Sequence, residues 1–497
     1  MNNKKTKVLF WIETFQIHFG IAKSIIENYD CELYALIACS QKQKVFYDTQ
    51  KLIKFKKSWN LRDNVNLKNH KLDMENLKFF ENNFSINLQK IIYGDRFFYK
   101  YNNYYKFTDE EILSILEQEL NFYNHVLDEC NPDYVVMRSP EFQDIELFYA
   151  ICKAKNIKIL VLSSTRLGNR WKISSDIDAP IFLDSNEKNL EIKSFENLQT
   201  SGKQYSELHD LFLHSQKSSI SEKFNVIKSL FSTLNESNIN NYRDLGKTPL
   251  KAFLVRLKLL LRSFFREQFL KKNAQTTISG KQPYAYFPLH FEPERTILRN
   301  GENFTDQISV IKNISQSLPV EMNLLVKEHN AMKLFGWRSL DFYKKILEMP
   351  KVKLIHPSVS NNEIIQNSSL ITTIAGSTAI EALFYKKPSI VFGEINCSKL
   401  SCVFKIKNLK DLPEIVKKCL CTDVDLVELN QYVNSLLKTS FSCNVQNLTT
   451  TASHIFGIGG FLDNHPFSEK QMEDFLKKFK QEFDLLALEH IKKIKSI

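Results

Sequence analysis

Residues 370–381 combine an apolar run with small and hydroxyl-bearing residues in an order that suits phosphate binding. The run Leu-Ile-Thr-Thr-Ile is followed by Ala-Gly-Ser-Thr and then by a helical pattern, which predicts a strand, a sharp turn and a helix start. Gly376 permits a close turn. Ser377 or Thr378 could cap the helix and present a hydroxyl beside its first amides, and Glu381 could accept hydrogen bonds from a ribose. An ordinary turn between a strand and a helix, without any ligand, gives the same pattern.

Two neighbouring segments place further polar groups at predicted strand ends. The strand predicted over 323–327 ends at Lys327 and is followed by His329, and a cation with an imidazole suits a diphosphate or phosphodiester group. A structural cap is the alternative for His329. The loop after the strand over 284–288 carries four polar groups, which we expect to face the same cleft and not to be surface charge alone: His290, Glu292, Glu294 and Arg295.

Charged residues also follow the predicted strands of the first half of the chain: Glu13, His18, Arg138, Glu141, Arg166 and Arg170. Arginines in such positions bind the carboxylate or phosphate of an acceptor, so Arg138, Arg166 and Arg170 are candidate acceptor ligands. A carboxylate there is a candidate general base or nucleophile. Glu13, Glu141 and His290 are the catalytic candidates, and the sequence does not choose among them.

The elements that position these residues alternate between strands and helices. Apolar runs at 7–12 and 32–38 flank a helical pattern near 21–28, and this βαβ opening predicts a parallel sheet. A second series begins near residue 283. We predict an α/β protein with two Rossmann-like domains facing a cleft, of GT-B type, with a helical insertion and a C-terminal helix. The predicted bounds are 1–185 for the acceptor-side domain, 186–275 for the insertion, 276–460 for the nucleotide-sugar domain and 461–497 for the last helix.

Residues 249–272 form a basic amphipathic helix in this reading. Leu254, Leu257, Leu261, Phe264 and Phe265 share one face, and Lys258, Arg262 and Arg266 are spaced four apart on another. Such a helix can lie on the anionic inner face of a membrane. An apolar stripe is also the usual sign of a helix packed on its own protein core, so both readings stay open.

Composition narrows the class of protein. The chain has 497 residues and a formal net charge of +11, but no zinc-finger spacing and no dense Lys/Arg tract, so we expect no nucleic-acid partner. Nine scattered Cys without a CxxC are typical of a reducing compartment, and no metal or cofactor is expected. The apolar run at 8–12 is too short for a signal peptide, and no stretch would span a membrane. We therefore expect a cytoplasmic protein that is soluble or peripheral on the inner membrane face.

Several blocks between residues 284 and 394 resemble the capsule polysaccharide biosynthesis protein family. They are YFPLHFEPERT, LLVKEHN, VKLIHP and ITTIAGSTAIEALFYKKPSIVFG, in this order, while the first half is similar only through PDYVVMRSPE and STRLGNR. The resemblance implies a GT-B fold and a role in capsule or lipopolysaccharide assembly. Characterised relatives include transferases of Kdo from its CMP derivative, in which His-Pro and Ser/Thr motifs hold the nucleotide phosphate. His329 and Ser377-Thr378 match these places, with Asn330 where Pro is expected.

These observations predict a glycosyltransferase of surface polysaccharide synthesis, with a nucleotide-sugar donor such as CMP-Kdo and a saccharide or lipid-linked acceptor. The predicted donor ligands are Lys327, His329, Gly376, Ser377, Thr378, Glu381, Glu292 and Arg295. A CDP-polyol phosphotransferase is an alternative, although Ala-Gly-Ser-Thr stands where such enzymes have Asp-Tyr-Ser-Ser. A nucleotide-sugar 2-epimerase and a non-catalytic polysaccharide assembly factor are two more.

Overall fold

Two sheets organise the chain in the computed structural model. The structure describes residues 5–67, 70–95, 97–167, 169–177, 242–278, 282–292, 295–301, 303–329, 332, 338–456 and 466–496. The predicted insertion at 186–275 therefore lies largely outside the described residues, except for its last part.

The first sheet has seven strands, mostly parallel. Their bounds are β1 (Thr6–Ile12), β2 (Cys31–Ile37), β3 (Lys57–Asn60), β4 (Tyr134–Arg138), β5 (Lys158–Ser164), β6 (Arg170–Ser174) and, late in the chain, β13 (Phe441–Ser442), in the spatial order β13-β6-β5-β4-β1-β2-β3. β1 to β5 pair in parallel, whereas β6 and β13 are antiparallel. The chain moves outward from β1 to β3 and then continues on the other side of β1, so the strand order reverses between β1 and β4.

Helices cover both faces of this sheet. They are α1 (Ile17–Asn28), α2 (Gln41–Thr49), α3 (Met74–Phe84), α4 (Leu88–Gly94), α5 (Asp109–Cys130) and α6 (Gln143–Ala154). β1 is apolar at consecutive positions because it is buried on both sides, as is typical of a parallel strand. Phe10 packs in the core on one face of the sheet and Trp11 in the core on the other. A capping box between Thr108 and Glu111 starts α5.

The second sheet has six strands, and all its strand pairs are parallel. They are β7 (Tyr284–Pro288), β8 (Asn323–Lys327), β9 (Val352–Ile355), β10 (Leu370–Thr373), β11 (Ser389–Val391) and β12 (Val403–Lys405), in the order β12-β11-β10-β7-β8-β9. Around it lie α8 (Arg295–Asn300), α9 (Gln307–Ser317), α10 (Leu340–Leu347), α11 (Asn361–Asn367), α12 (Thr378–Leu383), α13 (Leu412–Leu420) and α14 (Leu426–Lys438). The helix between β6 and β7, α7 (Pro249–Asn273), precedes this domain. Here the order reverses between β7 and β10, so each domain has one reversal. The predicted fold class is confirmed.

The chain returns to the first sheet after α14. Residues of α15 (Val445–Phe456), α16 (Glu469–Lys478) and α17 (Lys480–Ser496) share a core with the first sheet. The Tyr134 hydroxyl donates to the Ile494 carbonyl at 2.9 Å. The return begins at β13, before the predicted bound at 460, and its entry is held by Arg170, whose guanidinium donates to the Leu437 carbonyl at 2.9 Å.

No helix within the described ranges is both long enough and apolar enough to cross a membrane.

The contact between α1 and α17 is tight at Gly20, where a Cβ atom would overlap the ring of Phe483. Phe483 is buried, so its ring cannot turn outward. We expect Gly20→Ala to destabilise the fold by about 2 kcal/mol through overpacking, measured as the free energy of unfolding in urea. Gly94→Ala is the matched control, because nothing lies within 4 Å of the added Cβ. Equal stability of both variants would contradict the docking of α17 on α1.

Candidate functional site

A cavity of about 500 Å³ lies between the two domains. Its first wall includes residues at or just after the ends of β1, β4 and β5, with others from β6 and α15. Its second wall includes residues that follow β10 and β11 and the last residue of α8. In parallel sheets the carboxyl ends of the strands share one edge, and ligands bind beyond that edge where the strand order reverses. Both edges meet here, which makes this cavity the candidate site.

Glu13, Arg138 and Glu141 form an ion-paired group on the first wall. Glu13 directly follows β1 and Arg138 ends β4, so the reversal between these strands brings them together. Arg138 Nη1 lies 2.7 Å from Glu13 Oε2, and Nη2 lies 2.5 Å from Glu141 Oε2. Two of the three catalytic candidates and one predicted acceptor ligand are thus in direct contact.

The three side chains of this group are buried to different extents. Desolvation raises the pKa of Glu13, and the charge of Arg138 only partly offsets it. Burial opposes the charge of Arg138, but Glu13 and Glu141 hold its pKa above the usual value. Glu141 is half-exposed. A carboxylate with a raised pKa beside a fixed cation is a stronger proton acceptor than an ordinary surface glutamate.

His18 lines the same wall from the first turn of α1. A tight turn precedes this helix: Gln16 has φ of 60°, and its amide donates to the Glu13 carbonyl at 3.0 Å. The side chain of His18 is only 2% exposed, and neither ring nitrogen forms a hydrogen bond of ordinary geometry with the described residues. Burial lowers its pKa to about 3, with smaller contributions from His490 and Arg138. It is therefore a neutral imidazole beside the cavity, and the sequence assigned it no role.

Arg166 stands at the boundary between the domains. It follows β5 with φ of 61°, and Nη1 lies 3.4 Å from the carbonyl of Ala375 in the second domain. Among the described residues it has no carboxylate partner within ion-pair distance. Its guanidinium is thus placed to bind an anionic group of a ligand. Arg170, predicted to act alongside it, lies outside the cavity lining and holds residues 437–440 instead.

His290 fixes the loop behind the second wall. Its Nε2 accepts a hydrogen bond from the Ile374 amide at 3.1 Å and lies 3.0 Å from the Thr373 hydroxyl. Burial, together with the charges of Arg338 and Arg166, lowers the pKa of His290 to about 3. The side chain does not line the cavity, so the structure gives this third catalytic candidate a positional contact with β10.

The predicted phosphate turn lies beside the cavity, but its hydroxyls are arranged differently from the expectation. Ser377 already has helical φ and ψ and makes no cap hydrogen bond. Its hydroxyl donates to Glu381 Oε1 at 2.8 Å. The Gly376 amide donates to the Thr373 hydroxyl at 3.2 Å, where an added Cβ would approach Thr373 and His290. Thr378 is buried. Of this turn only Ala375 and Ile380 line the cavity, so its four predicted donor ligands lie behind the lining.

The remaining predicted donor ligands surround β8 and are not part of the lining either. Lys327 Nζ donates to Asn361 Oδ1 at 2.5 Å. Glu328 Oε2 accepts from the Tyr343 hydroxyl and lies 3.2 Å from Arg338 Nε. Glu292 lies 3.9 Å from the same Arg338. This buried network is a local support for the loop after β7.

His329 and Arg295 complete the predicted set. His329 is half-buried, with its ring centroid 5.9 Å from that of Phe291. The side chain of Arg295 and residue Glu294 lie outside the described part of the structure.

Sequence reasoning missed Arg338 and, on the second wall, Asn300, Glu394 and Lys399. Arg338 precedes a helix without any motif around it. Glu394 follows β11, and its strand-end position was the available signal. Its amide donates to the Asn300 carbonyl at 3.1 Å.

Solved structures similar to this chain include two kinds of enzyme. A UDP-GlcNAc 2-epimerase from Methanocaldococcus jannaschii is 14% identical, with 87% of this chain and 99% of that chain covered and a TM-score of 0.25. A UDP-GlcNAc 2-epimerase from Neisseria meningitidis is 13% identical, with 87% and 100% covered and a TM-score of 0.27. KpsC of Thermosulfurimonas dismutans, a beta Kdo 2,7 transferase, is 10% identical, with 80% and 97% covered and a TM-score of 0.32.

Values this low carry no information about activity. No protein-family model matches the sequence, and no curated protein matches it. The resemblance of residues 284–394 to capsule polysaccharide biosynthesis proteins stays a prediction.

The raised pKa of Glu13 predicts a pH-dependent stability difference. A carboxyl whose pKa is higher in the folded than in the unfolded chain stabilises the fold at low pH, and this contribution is lost as pH rises through the folded pKa. The Glu13→Gln variant cannot lose this contribution, because its side chain does not ionise. The melting temperature of the variant minus that of the wild type should therefore be larger at about pH 8 than at about pH 4.

Glu75→Gln is the control for that experiment, since it removes an exposed carboxylate of a surface pair, and such pairs contribute little to stability. A difference that becomes smaller with rising pH for Glu13→Gln would mean that the ion pair with Arg138 outweighs burial.

Proposed function

We propose that this chain is a glycosyltransferase of surface polysaccharide synthesis, and that it binds a nucleotide-activated sugar in the cavity between its domains. The observation that carries the proposal is the position of Glu13, Arg138 and Glu141. They lie at the strand reversal of one domain and face, across the cavity, the turn at the strand reversal of the other. A base on one domain and a nucleotide site on the other are what transfer from a donor to an acceptor requires.

The proposed chemistry uses residues of both walls. The oxygen of an acceptor hydroxyl bonds to the anomeric carbon of the sugar, and its proton passes to the Glu13 carboxylate. The bond from the anomeric carbon to the phosphate oxygen breaks, and the nucleotide leaves with the electron pair. Arg138 orients Glu13, and Arg166 balances the charge that develops on the leaving phosphate.

The nucleotide site is proposed on the second domain, at the turn over 374–381. Gly376 lets the chain pass close to Thr373 and His290, and Ser377 and Glu381 are held together by their mutual hydrogen bond. In this proposal Glu381 binds a ribose and Ser377 binds a phosphate. The resemblance of residues 284–394 favours CMP as the nucleotide and Kdo as the sugar.

A thermal-shift experiment tests the nucleotide. We expect CMP to raise the melting temperature more than CDP, UDP or GDP does, because of that resemblance. Arg166→Ala should weaken nucleotide binding about tenfold by removing a charge-assisted hydrogen bond. Lys353→Ala is the matched control, since Lys353 is an exposed cation on β9 outside the cavity lining.

A preference for UDP or GDP would replace the donor and keep the site. No response to any nucleotide would contradict the site itself.

Turnover tests the reaction. With CMP-Kdo and a panel of saccharide acceptors, Glu13→Gln should lower kcat by a factor of about 10² to 10⁴, as expected when a general base is removed. KM should change little, because Gln still fills the site. The control is Glu27→Gln, which alters a surface pair with Lys23 on α1.

Two outcomes would count against transfer, and a third would count against the proposed base. Conversion of UDP-GlcNAc without an acceptor, followed by NMR, would indicate a 2-epimerase. Nucleotide binding without turnover in any mixture would indicate a non-catalytic assembly factor. An unchanged kcat in Glu13→Gln would exclude Glu13 as the base.

A further inference from the structure

Helix α7 exposes an unusually large apolar surface. Eight Leu and Phe side chains between residues 250 and 265 are 43–71% exposed. At 3.6 residues per turn these eight positions fall within an arc of roughly 140°, and they form one continuous stripe. Contiguous apolar patches of this kind mark interaction surfaces. We call these eight side chains, which include Leu257, Leu261 and Phe264, the apolar stripe.

The opposite side of α7 is the one that packs on the protein. Arg266 and Leu270 are each 1% exposed. Leu270 belongs to the core of the second domain, and Phe269 stacks near Tyr343 with a centroid distance of 6.2 Å. The sequence left a choice between a core-facing stripe and a membrane-facing stripe. Among the described residues, the opposite side of α7 packs on the core, and the apolar stripe is exposed.

Both ends of α7 are attached, which fixes the direction of the stripe. Thr248 caps the first turn by accepting a hydrogen bond from the Lys251 amide, and Lys251 Nζ donates to the Tyr104 carbonyl of the first domain. Tyr242, shortly before the helix, lies in a core of that domain. The last turns belong to the second domain. The helix therefore connects the two domains along its whole length of about 37 Å.

The basic side chains of α7 indicate which kind of surface covers the apolar stripe. The helix carries seven Lys and Arg and one Glu. Lys251, Lys258 and Arg262 border one edge of the stripe, since their positions lie roughly 20–60° beyond its last apolar residue. Apolar side chains on one face with basic side chains at its edge are the pattern of a helix that lies in the interface of an anionic bilayer. Each Lys or Arg near such a surface adds to the attraction.

We propose that α7 is a membrane-docking surface that seats the protein on an anionic lipid bilayer by inserting its apolar stripe among the lipid chains. The helix lies parallel to the bilayer plane, because its ends are fixed to the two domains and its opposite side is buried. The occupant is thus a lipid surface with acidic headgroups. The proposal does not depend on the chemistry of the cavity, and vesicle binding can be measured without a nucleotide or acceptor.

Sedimentation with vesicles tests the proposal on the full chain. We expect the wild-type protein to pellet with vesicles that contain phosphatidylglycerol, and to pellet much less with phosphatidylcholine alone or at high salt. Leu257→Ser/Leu261→Ser/Phe264→Ser should lower the partition coefficient at least about tenfold on the phosphatidylglycerol vesicles. Lys258→Glu/Arg262→Glu should lower it about tenfold on the same vesicles and little on phosphatidylcholine.

A matched control removes exposed apolar side chains elsewhere. Val320 and Val427 are 84% and 58% exposed, so Val320→Ser/Val427→Ser should pellet like the wild type. All substituted side chains are at least partly exposed, and circular dichroism with thermal melting will show whether each variant keeps its fold.

Two results would overturn the proposal. One is a wild-type protein that stays in the supernatant with both kinds of vesicle, because another part of the chain or a partner then covers the stripe. The other is an oligomer, seen by light scattering, that dissociates in the triple Ser variant without a change in vesicle binding. In that case a second copy of the chain is the occupant.

Discussion

A parallel sheet whose strand order reverses leaves a crevice at the reversal, because the connections on its two sides run to opposite faces of the sheet. This constraint determines where chemistry can occur in the present fold. In the first domain the reversal separates β1 from β4, and in the second it separates β7 from β10. Glu13 and Arg138 are close because of the first reversal, and His290 contacts Ile374 because of the second.

The ion-paired group at the first strand reversal contributes little to the stability of its domain. A buried ion pair gains little net stability, since desolvation opposes the attraction. Arg138 nevertheless binds two carboxylates, and the pKa of Glu13 remains raised. His18 adds a buried imidazole, whose pKa burial lowers to about 3. Such features in one cavity support the proposal that ligands bind there.

Periodicity predicted the regular elements well where burial dominates. The apolar run expected at 7–12 is β1 (Thr6–Ile12), and the strand predicted over 323–327 is β8 with the same bounds. It failed at β3 and β13, because the sequence KSWN lacks an alternating pattern and two residues carry none. α1 begins at Ile17, several residues earlier than expected, because the left-handed conformation of Gln16 completes the turn after β1.

The site was predictable only in part, for a related reason. Position at a strand end can be read from the sequence, and Glu13, Arg138, Glu141 and Arg166 were found that way. The hydrogen-bond or ion-pair partner of a long side chain cannot be read from the sequence, because it depends on packing between distant segments. Arg170 binds Ser440, which is 270 positions away, and Arg338 joins Glu328 and Glu292 without any motif that marks it.

In the proposed reaction, the charge of a bound ligand links the two walls of the cavity. Contacts between the domains include the hydrogen bond of Arg166 with Ala375, the ion pair of Arg299 with Glu146, and the packing of Leu167 in the core of the second domain. A ligand that brings an anionic phosphate and excludes water acts twice on Glu13, since both desolvation and a like charge raise the pKa of a carboxyl further. Arg166 opposes that change only if it approaches the phosphate, which requires the second wall to stay against the first. The strength of Glu13 as the proposed base therefore depends on the contact between the two walls as much as on the residues of β1 and β4.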